Sequence, residues 1–306
     1  MIVVAGEALI DLIAGRDGTV VGVPGGGPYN TARAIARLGQ PVTFLGRIST
    51  DRFGRDLRAA LAGDGVAPDG LVETDDPTTL AVVEVDGDGA AQYRFYVEGT
   101  SAPGLTEADV ARVRSGSATA LHIGTLGLVL EPIGTTLERL VKRSDASQLV
   151  MLDPNCRPSA TTDPAAFRAR IERIAARADV VKVSDDDVRF LAPDRDPDAA
   201  IEALLGLGTR VVLRTRGDDD VEIRMASGRA TVPVPAVQVI DTVGAGDAFN
   251  GGFLAEWTSA GHGRDELGSM DLVRDAVRTA VAVAALSCTR PGADPPTRAE
   301  LEAFSA

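Results

Sequence analysis

Residues 241–254, D-T-V-G-A-G-D-A-F-N-G-G-F-L, combine several small residues with one acid placed to do chemistry. Gly244 and Gly246 allow backbone dihedrals that a side chain resists, and they leave room for a bulky ligand. With Ala245 between them, the string reads as a turn that opens a helix. The amides of Gly244, Ala245 and Gly246 then point out of a helix amino end. That end carries unpaired N–H groups and a partial positive charge, which suits an anion. Asp247 falls in the first helical turn, beside that anion. A carboxylate there is unfavourable unless it has a task. The natural task is to take a proton from a hydroxyl that attacks a phosphorus or carbon centre. The plainer reading is that the helix dipole favours Asp in any first turn and that Gly-Ala-Gly is only a tight turn. Gly251 and Gly252 weigh against it. Inside a helix each costs about 1 kcal/mol relative to Ala, so something packs very close to this helix.

Other glycine motifs are excluded. No G-K-[ST] occurs, so there is no Walker A lysine. The dinucleotide pattern G-x-G-x-x-G fails at its last position in residues 244–249 and again in 25–30. His122 and His262 lack metal-ligand spacing and read as structural. The acid run 185–187 reads as a solvated helix start. It also suits Mg²⁺, which takes one or two carboxylates plus phosphate oxygens.

The elements that must position these residues follow in order. Residues 2–4 read as a buried strand that 8–13 continues, with Asp11 among apolar neighbours. Asp11 is either an edge residue or a carboxylate at a pocket mouth, accepting from polyol hydroxyls. Residues 19–23 read as a short strand. The string G-G-G-P-Y-N-T-A-R-A-I-A-R-L-G, residues 25–39, reads as a helix with Pro28 in its first turn and Gly39 past its end. Its three glycines allow a ligand close to the backbone, and Asn30 can donate to a ligand hydroxyl or to a carbonyl in the turn. A strand over 41–45 leads into a connection at 46–54 and a helix from 56. Residues 79–85 and 92–97 alternate around D-G-D-G, a hairpin signal. A hairpin does not fit a parallel sheet, so with 19–23 it forms a small β unit apart. Strands at 121–123, 149–153, 180–183 and 211–213 alternate with helices, which argues for a parallel sheet covered on both faces. Residues 222–225 and 229–234 form a second hairpin. Ligands in such sheets sit at the strand carboxyl ends.

At 306 residues the length allows two units or one large α/β domain. The net charge of −13 argues against nucleic acid and against an anionic membrane surface. Cys156 and Cys288 are too few for a disulfide framework. The start M-I-V-V-A-G-E lacks a basic n-region, and no apolar run reaches a membrane span. A soluble, cytoplasmic protein is expected.

Residues 25–39 and 241–254 together resemble the two signatures of the ribokinase-like (PfkB) family of carbohydrate kinases. The strings G-R-I-S-T-D-R-F-G, G-T-S-A-P-G-L, D-P-N-C-R-P and V-K-V-S-D look most like its bacterial fructokinases. The resemblance covers essentially the whole chain. It implies an α/β fold, a doubly wound mostly parallel sheet with a small β-stranded lid over about 12–24 and 76–100, in one kinase domain spanning 1–306. It implies transfer of the ATP γ-phosphoryl group to a sugar hydroxyl with Mg²⁺, D-fructose to fructose 6-phosphate first. A kinase for 2-keto-3-deoxygluconate, ribose or a nucleoside stays open, as does a non-catalytic sugar-binding regulator. By resemblance Asp247 is the base, and Gly244, Ala245 and Gly246 form the anion hole. Asp11, Gly26, Gly27 and Asn30 would hold the sugar, with Phe95 or Tyr96 reaching it from the lid. Asn155 and Arg157 would face the phosphates, Arg157 being counted with the sugar-side residues. Ser184, Thr215 and Gly217 would meet the nucleotide, and Val281, Ala284 and Cys288 its adenine. Mg²⁺ would lie near Asp187. A monovalent cation such as K⁺ would sit by Asp241, Val243 and Gly292. A homodimer through the lid is implied as well. Three departures stand out: Ser49 replaces a usual glycine, the N-x-x-E string appears as residues 184–187 with a shorter acid and no amide, and T-x-G runs into three aspartates.

Overall fold

The computed structural model describes residues 1–15, 18–85, 91–112 and 118–305. In chain order the strands are β1 (Ile2–Ala5), β2 (Leu9–Ala14), β3 (Val20–Gly25), β4 (Val42–Ser49), β5 (Leu71–Thr74), β6 (Leu80–Val85), β7 (Ala91–Tyr96), β8 (Ala120–Gly124), β9 (Leu149–Asp153), β10 (Val180–Ser184), β11 (Val211–Arg216), β12 (Asp219–Met225) and β13 (Gly228–Val232). Among the described residues they form two sheets. The large one has the order β13-β12-β11-β10-β9-β8-β1-β4-β5. It is parallel from β11 to β5, and β12 and β13 add an antiparallel edge.

β1, β8 and β9 are buried along their whole length. That is what near-continuous apolar runs give when helices cover both faces of a sheet. One core holds Val4, Phe44 and Met151 with Phe253 and Trp257. The other, on the opposite face, holds Val3, Leu121 and Val150 with Leu137 and Ile171. β1 pairs with β4 on one side and with β8 on the other, in register Val3↔Thr43 and Val3↔Leu121. The chain therefore winds outward to β5, returns to β8 and winds the other way. The crevice beyond the carboxyl ends of β1 and β8 is the switch point where such sheets bind ligands.

The second sheet has the order β3-β2-β6-β7. The hairpin of β6 and β7 lies in it, apart from the large sheet, as the sequence suggests; its D-G-D-G turn falls outside the described residues. One expectation is corrected. Residues 8–13 do not extend β1, because the chain breaks at Gly6 (φ 157°) and re-forms as β2 in the small sheet. The small unit thus begins at Leu9 rather than at residue 12. A second correction concerns β4, which runs on to Ser49 instead of ending at 45. Its interior Arg47 donates to the Gly104 carbonyl and the Thr74 hydroxyl and pairs with Asp76, so a charged residue does not end the strand.

Two helices carry the signature glycines. Gly27–Arg37 starts after Gly26 (φ 106°), has Pro28 in its first turn and is followed by Gly39 (φ 81°). Ala245–Ser259 starts after Gly244 (φ 75°) and is buried through most of its length. Gly251 packs on the first of these helices, and Gly252 on the helix Met270–Ser287. A Cβ on Gly251 would stand 2.5 Å from Ala34 Cβ, and one on Gly252 would stand 2.9 Å from Ala280 Cα. The glycine pair inside the helix is explained by these approaches.

On an exposed helix, Gly251→Ala would stabilise by about 1 kcal/mol. Here the clash wins, and the change should cost about 1–3 kcal/mol. The check is the urea midpoint, which should fall with the m-value unchanged. A raised midpoint would mean the two helices can part freely.

Candidate active site

The amino end of the helix Ala245–Ser259 and that of Gly27–Arg37 meet. Asn30 Nδ2 donates to Asp247 Oδ2 at 2.9 Å, and the Thr31 hydroxyl donates to the Asp247 carbonyl at 3.3 Å. Asp247 is only 7% exposed. Burial pushes its carboxyl up to about 7; the Asn30 hydrogen bond and the charges of Lys182 and Arg157 pull the other way, and Asp153 adds to the rise. A carboxyl tuned near neutrality in a cleft is suited to accept a proton. Beside it, Gly244 and Gly246 open the helix. The Ala245 N–H already bonds to the Thr242 carbonyl at 3.2 Å. Of the three amides expected to face an anion, it is the one with an internal partner.

Under this end lies a buried charge network. Lys182 Nζ donates to Asp153 Oδ2 at 3.0 Å, and Asn250 Nδ2 donates to the same oxygen at 2.7 Å. Lys182 keeps its charge: burial alone would lower its pKa, but the carboxylates of Asp153, Asp187 and Asp247 together raise it. The ammonium would stand 3.0 Å from a Cβ on Gly246, so that glycine admits it to the helix end.

Around these groups is a cavity of about 450 Å³. Gly244, Ala245, Gly246 and Asp247 line it, with Asp11, Gly26, Gly27, Asn30, Phe95 and Arg157. So do Asn155, Ser184, Thr215, Gly217, Val243, Val281 and Ala284. Residues from both signatures, from the carboxyl ends of β9, β10 and β11 and from the small sheet thus share one space. Asp11 is pushed up to about 6 by burial, with the Arg157 charge opposing. Arg157 is held by Asn155 Oδ1 at 2.6 Å. Of the two aromatic candidates on β7, Phe95 faces the cavity, stacked on Tyr93 with ring centroids 6.1 Å apart. Tyr96 points away and is 53% exposed.

Four expected residues stand outside this wall. Asp187 is the N3 residue of a capping box: its Oδ2 accepts from the Ser184 amide and hydroxyl, and its Oδ1 from the Cys156 amide at 2.6 Å. It holds the 155–157 turn to the start of the next helix and does not face the cavity. Asp241 accepts from the amides of Val243 (3.0 Å) and Gly292 (2.8 Å), so those three do cluster, one loop away. The Cys288 carbonyl accepts from the Ile240 and Asp241 amides, behind the wall that Val281 and Ala284 form. Among the described residues, no three His, Cys, Asp or Glu side chains are grouped to hold a metal. His122 is buried and kept neutral, its pKa lowered to about 3 by burial and by Lys182. His262 packs on Trp257.

The sequence reading missed Glu7, Thr125, Tyr93 and Lys182, all of which line the cavity. For Lys182 a signal existed. The chain has 31 Lys and Arg together, and only Lys142 and Lys182 are lysines. A lysine inside an apolar strand, in a chain that otherwise uses arginine, marks a place where a compact ammonium is required.

Ionising Asp247 inside the fold costs stability that the neutral acid does not. Its folded pKa lies above its ordinary value of 3.8. The cost is therefore absent below about pH 4, grows to about pH 7 and then levels off. Asp247→Asn keeps the shape without the charge. Its Tm advantage over the parent should widen by several degrees from pH 4 to pH 8. A Tm difference that is the same at both pH values would refute the burial argument.

Comparison with known proteins places the chain in a family. The profile of the pfkB family of carbohydrate kinases matches residues 1–300. A fructokinase of Rhizobium leguminosarum bv. trifolii is 39% identical over 261 residues, 83% of this chain and 79% of that protein. Among solved structures, the Xylella fastidiosa fructokinase with bound ATP superposes with a TM-score of 0.92 at 30% identity, covering 99% of this chain and 97% of that one. The Vibrio cholerae fructokinase with fructose, ADP and calcium bound gives 0.87 at 28% identity, covering 99% and 98%.

Proposed function

The chain belongs to the pfkB family of carbohydrate kinases, and from that premise we propose that it is an ATP-dependent fructokinase, forming fructose 6-phosphate. The observation that carries the reading is Asp247, buried at a helix amino end and held by Asn30 where the two signature helices meet. In this reading the sugar lies among Asp11, Gly26, Gly27, Asn30 and Phe95. ATP lies along Asn155, Ser184, Thr215 and Gly217, its adenine against Val281 and Ala284. Asp247 takes the proton of the attacking hydroxyl. The hydroxyl oxygen bonds to the γ-phosphorus as the bond to the β-phosphate oxygen breaks, and ADP leaves. The amides of Gly244 and Gly246, with the charges of Lys182 and Arg157, offset the negative charge on the phosphoryl group in transit.

Mg²⁺ fits this donor set as an ion carried on the ATP phosphates. Among the described residues no three His, Cys, Asp or Glu side chains form a cage for it, so phosphate oxygens and water would supply its ligands. When bound it supplies charge neutralisation along the triphosphate. The loop of Asp241, Val243 and Gly292 is the place for K⁺, with Asp241 as its source of charge. The sheet β3-β2-β6-β7 acts as a lid within one kinase domain, closing Tyr93 and Phe95 over the sugar so that water does not receive the phosphate. ATP use and two free cysteines fit a cytoplasmic enzyme.

General base catalysis is worth about 10²–10⁴-fold, so folded Asp247→Asn should lose at least that much turnover. ADP release with Mg-ATP and a panel of sugars and nucleosides, fructose included, measures this and identifies the acceptor together. The parent's kcat/KM for the preferred sugar should rise with pH through about 7, where free Asp247 ionises. Near-parental turnover by Asp247→Asn would remove it as base. Selective turnover of another sugar would keep the mechanism and replace fructose.

Val20 and Val21 on β3 are 63% and 55% exposed. Such apolar exposure fits a second copy of the chain packed on the lid. In sedimentation the parent should run as a dimer and Val20→Arg/Val21→Arg as a monomer. A monomeric parent would refute the lid dimer.

A further inference from the structure

Glu7 has no part in the chemistry above, yet it is 2% exposed and lines the cavity. It stands between β1 and β2, in the short connection that joins the two sheets. Its carboxylate accepts from three different places. The Gly27 amide donates to Oε1 at 3.1 Å, the Thr125 hydroxyl donates to the same oxygen, and the Gly127 amide donates to Oε2 at 2.8 Å. The first belongs to the helix that carries Asn30, and the other two to the turn after β8.

Thr125 is strained. Its φ is 58°, a region that β-branched residues avoid. Such a residue persists only where its surroundings over-determine it. Glu7 is the group that holds it by its side chain. Gly27, on the same oxygen, has no room for a side chain. A Cβ there would run into Thr125 Cγ2 and stand 3.2 Å from Asp247 Oδ1. Gly127 is likewise close, its Cβ position 3.1 Å from Glu7 Oε2. Glu7, Gly27 and Thr125 are therefore interlocked one atom's reach from Asp247.

We infer that Glu7 is a positioning residue for the acceptor: its carboxylate locks Gly27 and Thr125 into one wall, which presents the acceptor hydroxyl to Asp247 in a single orientation. This rests on the sugar-kinase reading. Two of the three partners are backbone amides that can only donate, so the site needs an acceptor on both oxygens. Glu7→Gln keeps the shape but turns one oxygen into an NH₂ that confronts a donor. The wall then loosens on the sugar side, while the nucleotide side, built from the ends of β9 to β11 and the helix Met270–Ser287, is untouched.

The test compares the parent, Glu7→Gln and Thr125→Val, which deletes the hydroxyl and keeps the side-chain volume. The readouts are KM for sugar and for ATP, sugar Kd by calorimetry without ATP, and Tm. One lost hydrogen bond to a charged group is worth about tenfold in binding. Sugar KM and Kd should rise about tenfold or more in Glu7→Gln, with ATP KM within about twofold of the parent. Thr125→Val should shift the same constants in the same direction, and it carries the test alone if Glu7→Gln does not fold. Adding Thr125→Gly, a glycine that takes the positive φ unaided, should shrink the effect of Glu7→Gln on sugar KM. Equal rises in both KM values, or a lower Tm with unchanged sugar constants, would overturn the inference and leave the kinase reading intact. A folded parent that binds and phosphorylates no sugar would overturn the kinase reading, and this one with it.

Discussion

Burying a carboxylate at the bottom of a cleft is expensive, and most of this structure around the cleft can be read as the means of keeping Asp247 there. A helix amino end favours its charge. Asn30 gives it one hydrogen bond. Asn30 would not reach it if the two signature helices stood at an ordinary separation. Gly251 lets them come together, its Cα passing where any side chain would strike Ala34. The balance that results is a carboxyl near neutrality rather than a permanent anion or a permanent acid. Proton acceptance at neutral pH needs that balance.

The network below Asp247 has the same logic. An unpaired ammonium or carboxylate at that depth would be far costlier than a pair. Lys182 and Asp153 neutralise each other, the Lys182 and Asn250 donors converge on one Asp153 oxygen, and the Asn155 amide donates to the other. Asn250 comes from the same helix as Asp247, one turn on. The helix therefore anchors its own amino end to the large sheet through β9 and β10, which fixes the base and the anion hole relative to the strand ends.

The two sheets divide the work. The large sheet and its helices supply a rigid floor at the switch point of β1 and β8. The small sheet reaches over it with Asp11, Tyr93 and Phe95. The short connection from β1 to β2, which joins the two sheets, carries Glu7. Asp187, expected at a metal, shows how local context redirects a residue. Next to a serine at a helix start it completes a capping box and so becomes part of the frame.

The sequence by itself determined the parts whose physics is local. Apolar runs alternating with helical periods fixed a parallel sheet, and glycines beside an acid fixed a helix amino end with a base in its first turn. The D-G-D-G hairpin signalled a unit outside that sheet. Tertiary structure decided what depends on distance in space between residues far apart in the chain. It put β2 in the small sheet, because the chain turns at Gly6 and Glu7 between two apolar runs that read as one strand. It chose Phe95 over Tyr96, because facing depends on how β7 lies over the cleft. It buried Lys182 against Asp153, 29 residues away, and Glu7 against Thr125, 118 residues away. No periodicity records such meetings, since each partner alone looks like an ordinary charged residue near a strand end.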